Sequence, residues 1–182
     1  MSFGAGGGSM ERDFLINLDD RAGVSRRMLE AASWAARIAI GVSFLSAVAD
    51  RFGLWGAPGT AGVTWGNIEQ YNAYVATLNW FLPAALVPLA GWSATIAEIV
   101  LGIALLVGWQ LRWSALLSAG LLLVFGLTMT MALGVKAPLS YSVFSAASAA
   151  FLLCAIQPAG DASCTPISGE AGGSVKCPPH EA

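Results

Sequence analysis

The chain has 182 residues, of which 56 % are hydrophobic and 11 % charged. Soluble domains carry roughly 25 % charged residues, and a chain this short cannot hide so much apolar surface from water, so lipid is the expected solvent. A net charge of −2 with scattered basic residues argues against a nucleic-acid partner, and three cysteines, Cys154, Cys164 and Cys177, lack the even, dense pattern of a disulfide scaffold.

Residues 1–25 are expected to form a flexible tail. Positions 4–9 are rich in Gly and Ser, a composition that stays flexible. Residues 11–21 are charged, with Phe14, Leu15, Ile16 and Leu18 interspersed. They either lie on the membrane surface or stay disordered. Met10 is an alternative start. The first span is expected over residues 27–52. Its apolar body carries Arg37, and Ala47, Val48 and Ala49 resemble a signal-peptidase site. A leader of that length with a charge in its apolar region is disfavoured, so a retained helix is expected. Arg37 would sit about 9 Å inside the near boundary. It serves there either as a snorkelling anchor or as one half of an interior ion pair.

Asp50, Arg51, Phe52 and Gly53 close that helix, with Gly53 just past its end. A Gly-rich loop with Trp55, Pro58 and Trp65 follows over 53–66. Asn67 with Gln70 three residues on reads as a capped helix start, and Ile68, Tyr71, Val75 and Leu78 recur at helical spacing. The result is a short amphipathic helix in the first outer loop. It lies at the membrane interface or caps the bundle from outside. Pro83 and Pro88 break the next stretch. A second span is expected over 92–109, a tight corner over 108–113, and a third, charge-free span over 113–135, long enough to cross a core of roughly 30 Å. A turn at 134–138 leads to a fourth span over 139–156. There Ser142, Ser145, Ala146, Ala149 and Ala150 suit close helix contact. Residues 158–182 are expected to be a disordered tail.

The fold expected is therefore all-α, an integral membrane four-helix bundle over residues 26–157, with residues 53–90 forming a cap on one side. Arg12, Arg21, Arg26, Arg27 and Arg112 lie on one side of the spans, against Arg51 and Lys136 on the other. The positive-inside rule then places both termini in the cytoplasm of a bacterial inner membrane. Trp34, Trp109 and Trp113 fall at the inner boundary, and Trp55, Trp80 and Trp92 near the outer one.

Glu98 is the leading site candidate, because a carboxylate inside an apolar span is expensive and marks function by default. Thr95, Glu98 and Gly102 share one helix face. Counted from Trp92, Glu98 lies about 9 Å below the outer boundary, leaving about 12 Å to Arg37. A helix starting nearer Pro88 would shorten that gap. Arg51 and Lys136 are the other candidate partners. Glu98 is then one half of a structural ion pair that orients helices one and two, a proton or quinone site, or a transport site. The one histidine, His180, lies in the tail, so a bis-histidine haem is excluded. Cys164, Cys177 and His180 fall one ligand short of a metal site. No covalently bound cofactor and no metal is expected, and quinone is the candidate ligand. Any redox work would use a diffusible quinone or a partner redox protein.

These elements resemble the DoxX family of small bacterial membrane proteins. The resemblance rests on Arg37, Ile38, Ala39, Ile40 and Gly41 with Phe44 and Leu45, and on Asp50, Arg51, Phe52 and Gly53. It continues through Ala97 to Gly102, Gly108 to Trp113, Gly134 to Leu139 and Tyr141 to Phe144, and covers about residues 30–157. It implies a four-helix inner-membrane protein, some of whose relatives are associated with quinone-linked sulfur oxidation. The first functional expectation is a membrane subunit of a quinone-linked sulfur or thiol oxidation system, in which Glu98 takes up or releases a proton and Arg37, Arg51 or Lys136 sets its pKa. The alternatives are a non-enzymatic scaffold or assembly factor for a partner protein, and a small-solute carrier. A homo-oligomer is compatible with either.

Overall fold

The structure is a computed structural model that describes residues 7–157, with side chains from residue 23 onward. The C-terminal stretch 158–182, expected to be a tail, lies outside the described residues. Six α-helices follow one another: α1 Gly7–Arg51, α2 Ile68–Leu78, α3 Val87–Val107, α4 Leu111–Leu133, α5 Lys136–Ser140 and α6 Val143–Ala155. There is no strand among the described residues. The helix α1 begins at Gly7, inside the stretch expected to be a flexible tail.

Three segments are long and apolar enough to cross a membrane: Gly23–Arg51, Ala84–Val107 and Leu111–Leu133. The expected fourth span is not one long helix. The five residues of α5 and the thirteen of α6 are separated at Ser142, which takes a left-handed φ of 55°. At 1.5 Å per residue α6 is about 20 Å long, short of a hydrocarbon core of about 30 Å. The second span also differs from expectation. It starts at Val87 rather than Trp92, because Pro88 sits in the first helical turn, where its missing N–H costs nothing. Pro83 instead precedes a 3₁₀ turn, Ala84–Leu86.

Two helix pairs make the bundle, α1 with α3 and α4 with α6. Each pair meets through small residues. In the first, Gly41 faces Gly102 so closely that a Cβ on Gly41 would lie 3.0 Å from the Gly102 carbonyl. In the second, Ser114, Ala115, Ser118, Ala119, Leu122 and Gly126 form the buried stripe of α4, packed against Ala147, Ala150 and Leu153 of α6. Without a hydrophobic force between helices in lipid, such backbone approach is what dispersion contacts need. The outward faces are apolar too: Ile96, Val100, Ile103 and Val107 on α3 are exposed, as lipid-facing side chains must be.

The capped helix start is present, with the Asn67 side chain accepting from the Gln70 N–H at 2.8 Å. Tyr71, Val75 and Leu78 are the buried face of α2. That face rests on Val87, Ala90 and Trp65, so α2 covers the end of the bundle where α1 finishes and α3 begins.

Candidate functional site

Under that cover lies a buried ionic cluster. Arg51 Nη2 donates to Glu98 Oε1 at 2.8 Å, and Nη1 donates to Thr95 Oγ1 at 2.9 Å. The Thr95 hydroxyl in turn donates to the Gly91 carbonyl at 2.8 Å. Glu98 Oε2 lies 2.7 Å from Nη2 but has no N–H aimed at it. Arg51 is 3 % exposed and Glu98 2 %. This is the one salt bridge among the described residues.

Helix geometry explains why these two residues meet. Side chains on an α-helix lean toward their own N-terminus. The contacts of Gly41 with Gly102, and of Arg37 with the end of α3, show that α1 and α3 run antiparallel. Arg51 therefore leans back into the bundle from the end of α1, while Glu98 leans up to meet it. Phe52 and Trp92 pack with their rings tilted and the centroids 6.2 Å apart, which fixes the level of Arg51 at that of Trp92. Glu98 lies about 9 Å deeper. The Arg51 side chain thus reaches away from the boundary rather than snorkelling toward it.

Two aromatic residues complete the cluster. The Arg51 guanidinium carbon sits 3.8 Å from the Tyr71 ring centroid and 5.3 Å from that of Trp65. The two rings pack edge to face at 5.2 Å. Desolvated cation–π contacts of this kind are worth about 2 kcal/mol. Asp50, adjacent in the chain, holds the cover down. Its Oδ2 accepts the backbone N–H groups of Thr64 and Trp65 at 3.0 and 2.9 Å.

Burial pushes the Tyr71 phenol up to about 12; the neighbouring Arg51 charge opposes that rise, and Glu98 and Tyr74 add to it. An acid whose folded pKa is raised contributes stability that is complete below its unfolded pKa. For Tyr71 that contribution is lost as pH climbs from about 10 to about 12. Tyr71→Phe is expected to shrink the alkaline fall in unfolding temperature across that window, as read by thermal unfolding in detergent. An unchanged alkaline limb in the variant would show that Tyr71 does not titrate there.

The other sequence candidates lie elsewhere. Arg37 does not reach Glu98. It is buried and donates from Nε to the Leu105 carbonyl at 2.9 Å and from Nη2 to the Leu106 carbonyl at 3.2 Å. Gly108 takes φ 82° and returns its N–H to Ala104. The orphan carbonyls at the end of α3 are thus capped by a glycine turn and a cation, which also favours the negative end of the helix dipole. Trp34 stacks on the same guanidinium, 4.0 Å from its carbon. Arg37 is therefore not an ion-pair partner of Glu98; it is held at the end of α3 beside the corner that begins at Gly108. Lys136 is exposed at the start of α5. Tyr71 and Trp65 are the cluster members that sequence reasoning left out. Their signal was present: Tyr71 lies on the apolar face of the capped helix, and Trp65 lies two residues before its N-cap Asn67.

A cavity of about 1530 Å³ opens beside the cluster. Asp50, Arg51, Glu98 and Tyr71 form its polar end, and Phe44, Leu122, Phe125 and Met129 line its apolar body. Among the described residues, no group of three or more His, Cys, Asp or Glu could hold a metal.

A family model described as methylamine utilisation protein MauE matches residues 29–140. This match overturns the resemblance to the DoxX family. The residues that carried that resemblance have structural reasons to recur in small membrane bundles: Gly102 at a helix contact, Gly108 at a helix end, Asp50 anchoring a loop. No curated protein and no solved structure matched the chain.

Proposed function

The chain belongs to the MauE family, and from that premise we propose that this multi-pass membrane protein serves the maturation of a redox enzyme of amine utilisation. The family membership is the observation that carries the reading, since that family is described by methylamine utilisation. An N-terminus in the cytoplasm, as the positive-inside rule suggests, would put the cover of loop 53–66 and α2 on the outer side of the membrane, where a partner enzyme can be met. The Asp50 and Arg51 contacts hold that cover rigidly on the bundle. A thiol relay inside the bundle would need two cysteines, and Cys154 is the single one between residues 26 and 157. The contribution proposed is that of an assembly factor. The test is deletion of the gene in its host during growth on methylamine. Active amine-oxidising enzyme is expected to fall at least tenfold and to return when the chain is restored. Wild-type enzyme levels in the deletion strain would refute the reading.

A second reading is favoured by the position of Glu98 on the cavity wall. In it the chain is a quinone-linked membrane subunit without a redox cofactor of its own. Glu98 takes up or releases a proton, and Arg51 sets its charge. Quinone should then co-purify with the protein in mild detergent, and Glu98→Gln should abolish quinone-dependent turnover by the partner.

A further inference from the structure

Three buried polar atoms in the cluster have no hydrogen-bond partner: Glu98 Oε2, Asp50 Oδ1 and Arg51 Nε. Their residues are 2 %, 5 % and 3 % exposed, and all three line the cavity. Orphaned polar atoms in an apolar surround are costly, so a partner for them is expected. The cavity far exceeds a water molecule at about 30 Å³, and is larger than a typical small-ligand pocket of about 300–1000 Å³. Its rim includes Val42 and Ser43 of α1, Val124 of α4 and Ala149 of α6. All four are exposed along the flanks of the spanning helices, so the opening faces the bilayer. The occupant that fits is an amphiphile from the membrane, with its polar head at Glu98 and its apolar tail between α1 and the α4–α6 pair.

The donor and acceptor count selects the head. Asp50 Oδ1 requires a donor, Glu98 Oε2 has only its 2.7 Å ion-pair contact and can accept a hydrogen bond besides, and the Arg51 Nε–H requires an acceptor. A phenolic hydroxyl does both; a quinone carbonyl only accepts. An anionic phosphate head would meet two carboxylates against one guanidinium. We propose that the cavity is a binding site for a membrane hydroquinone, and that it prefers the reduced ring to the oxidised quinone, the Glu98 and Asp50 oxygens accepting from its hydroxyl groups. This deepens the quinone-linked reading above and rests on it.

The test uses the purified full chain in lipid nanodiscs. A decyl-tailed benzohydroquinone, kept reduced without oxygen, and its oxidised quinone are titrated separately, with the ligand retained by the nanodiscs, less that retained by empty nanodiscs, counted by extraction and chromatography as readout. The hydroquinone is expected to bind at least tenfold tighter. Glu98→Gln should lose most of that preference. Ala149→Trp, which fills the rim without touching the ion pair, should lose binding of both forms while keeping the unfolding temperature. Equal or tighter binding of the oxidised form would overturn the preference and leave the quinone-linked reading standing. Binding of neither form would overturn both. Displacement of the hydroquinone by an equimolar ethanolamine phospholipid would assign the site to a lipid amine head and overturn the proposal.

Discussion

Replacing Glu98 alone by leucine is expected to destabilise the protein by about 3–5 kcal/mol, because it leaves the Arg51 charge buried without its partner. The guanidinium would keep its bond to Thr95 and its aromatic contacts with Tyr71 and Trp65, none of which supplies a negative charge. The double variant Arg51→Met with Glu98→Leu removes both charges and is expected to recover most of that loss, since apolar side chains of similar size replace buried pairs at little or no cost. Thermal and denaturant unfolding in detergent give the comparison. The double variant also separates structure from function. A folded protein that no longer supports enzyme maturation or hydroquinone binding would mark the pair as a functional group. One that supports both at wild-type levels would reduce it to a helix-orienting contact. Loss of folding in the double variant equal to that in the single one would contradict the account of the cluster as a compensated pair.

The importance of Glu98 was legible in the sequence because a carboxylate in an apolar run has few innocent explanations. Its partner was harder to read, for a geometric reason. Distances counted along helices locate Cα levels, but the lean of each side chain toward its own N-terminus brings an antiparallel pair together across a level difference of about 9 Å. Arg51, at the boundary by count, therefore acts in the interior. Arg37 shows the converse. Its spacing suggested an anchor or an ion pair, but what it finds is the carbonyl end of α3, and such a partner has no side-chain signature. The first turn of α3 was misplaced because Pro88 reads as a break wherever the helix start is unknown, although a proline in the first turn is a start signal. The division of the last segment into α5 and α6 turns on Ser142 at φ 55°, a conformation that serine rarely takes and composition does not announce.

The α1–α3 contact that places Arg51 over Glu98 yields the second large effect. Gly41→Leu is expected to cost about 2–3 kcal/mol or more, by the usual scale of overpacking. A Cβ at Gly41 would lie 2.9 Å from Leu106 Cγ and 3.0 Å from the Gly102 carbonyl oxygen. Leu106 can turn aside, but the carbonyl belongs to the α3 backbone and moves only if the helix does. The remaining carbons of leucine would then force α1 and α3 apart along their length. Arg51 and Glu98 would separate with them, so the steric cost and part of the ion-pair cost add. Gly120 supplies the control: it is on α4, exposed, and a Cβ there meets nothing within 4 Å. Gly120→Leu should change stability by no more than about 0.5 kcal/mol, or raise it through better helix propensity. Unfolding measurements on the two variants decide the matter. If both lose stability equally, added bulk or lipid interaction is responsible. If only Gly41→Leu loses it, and hydroquinone binding falls with it, then the close approach of two glycines in the bundle holds the buried pair in register.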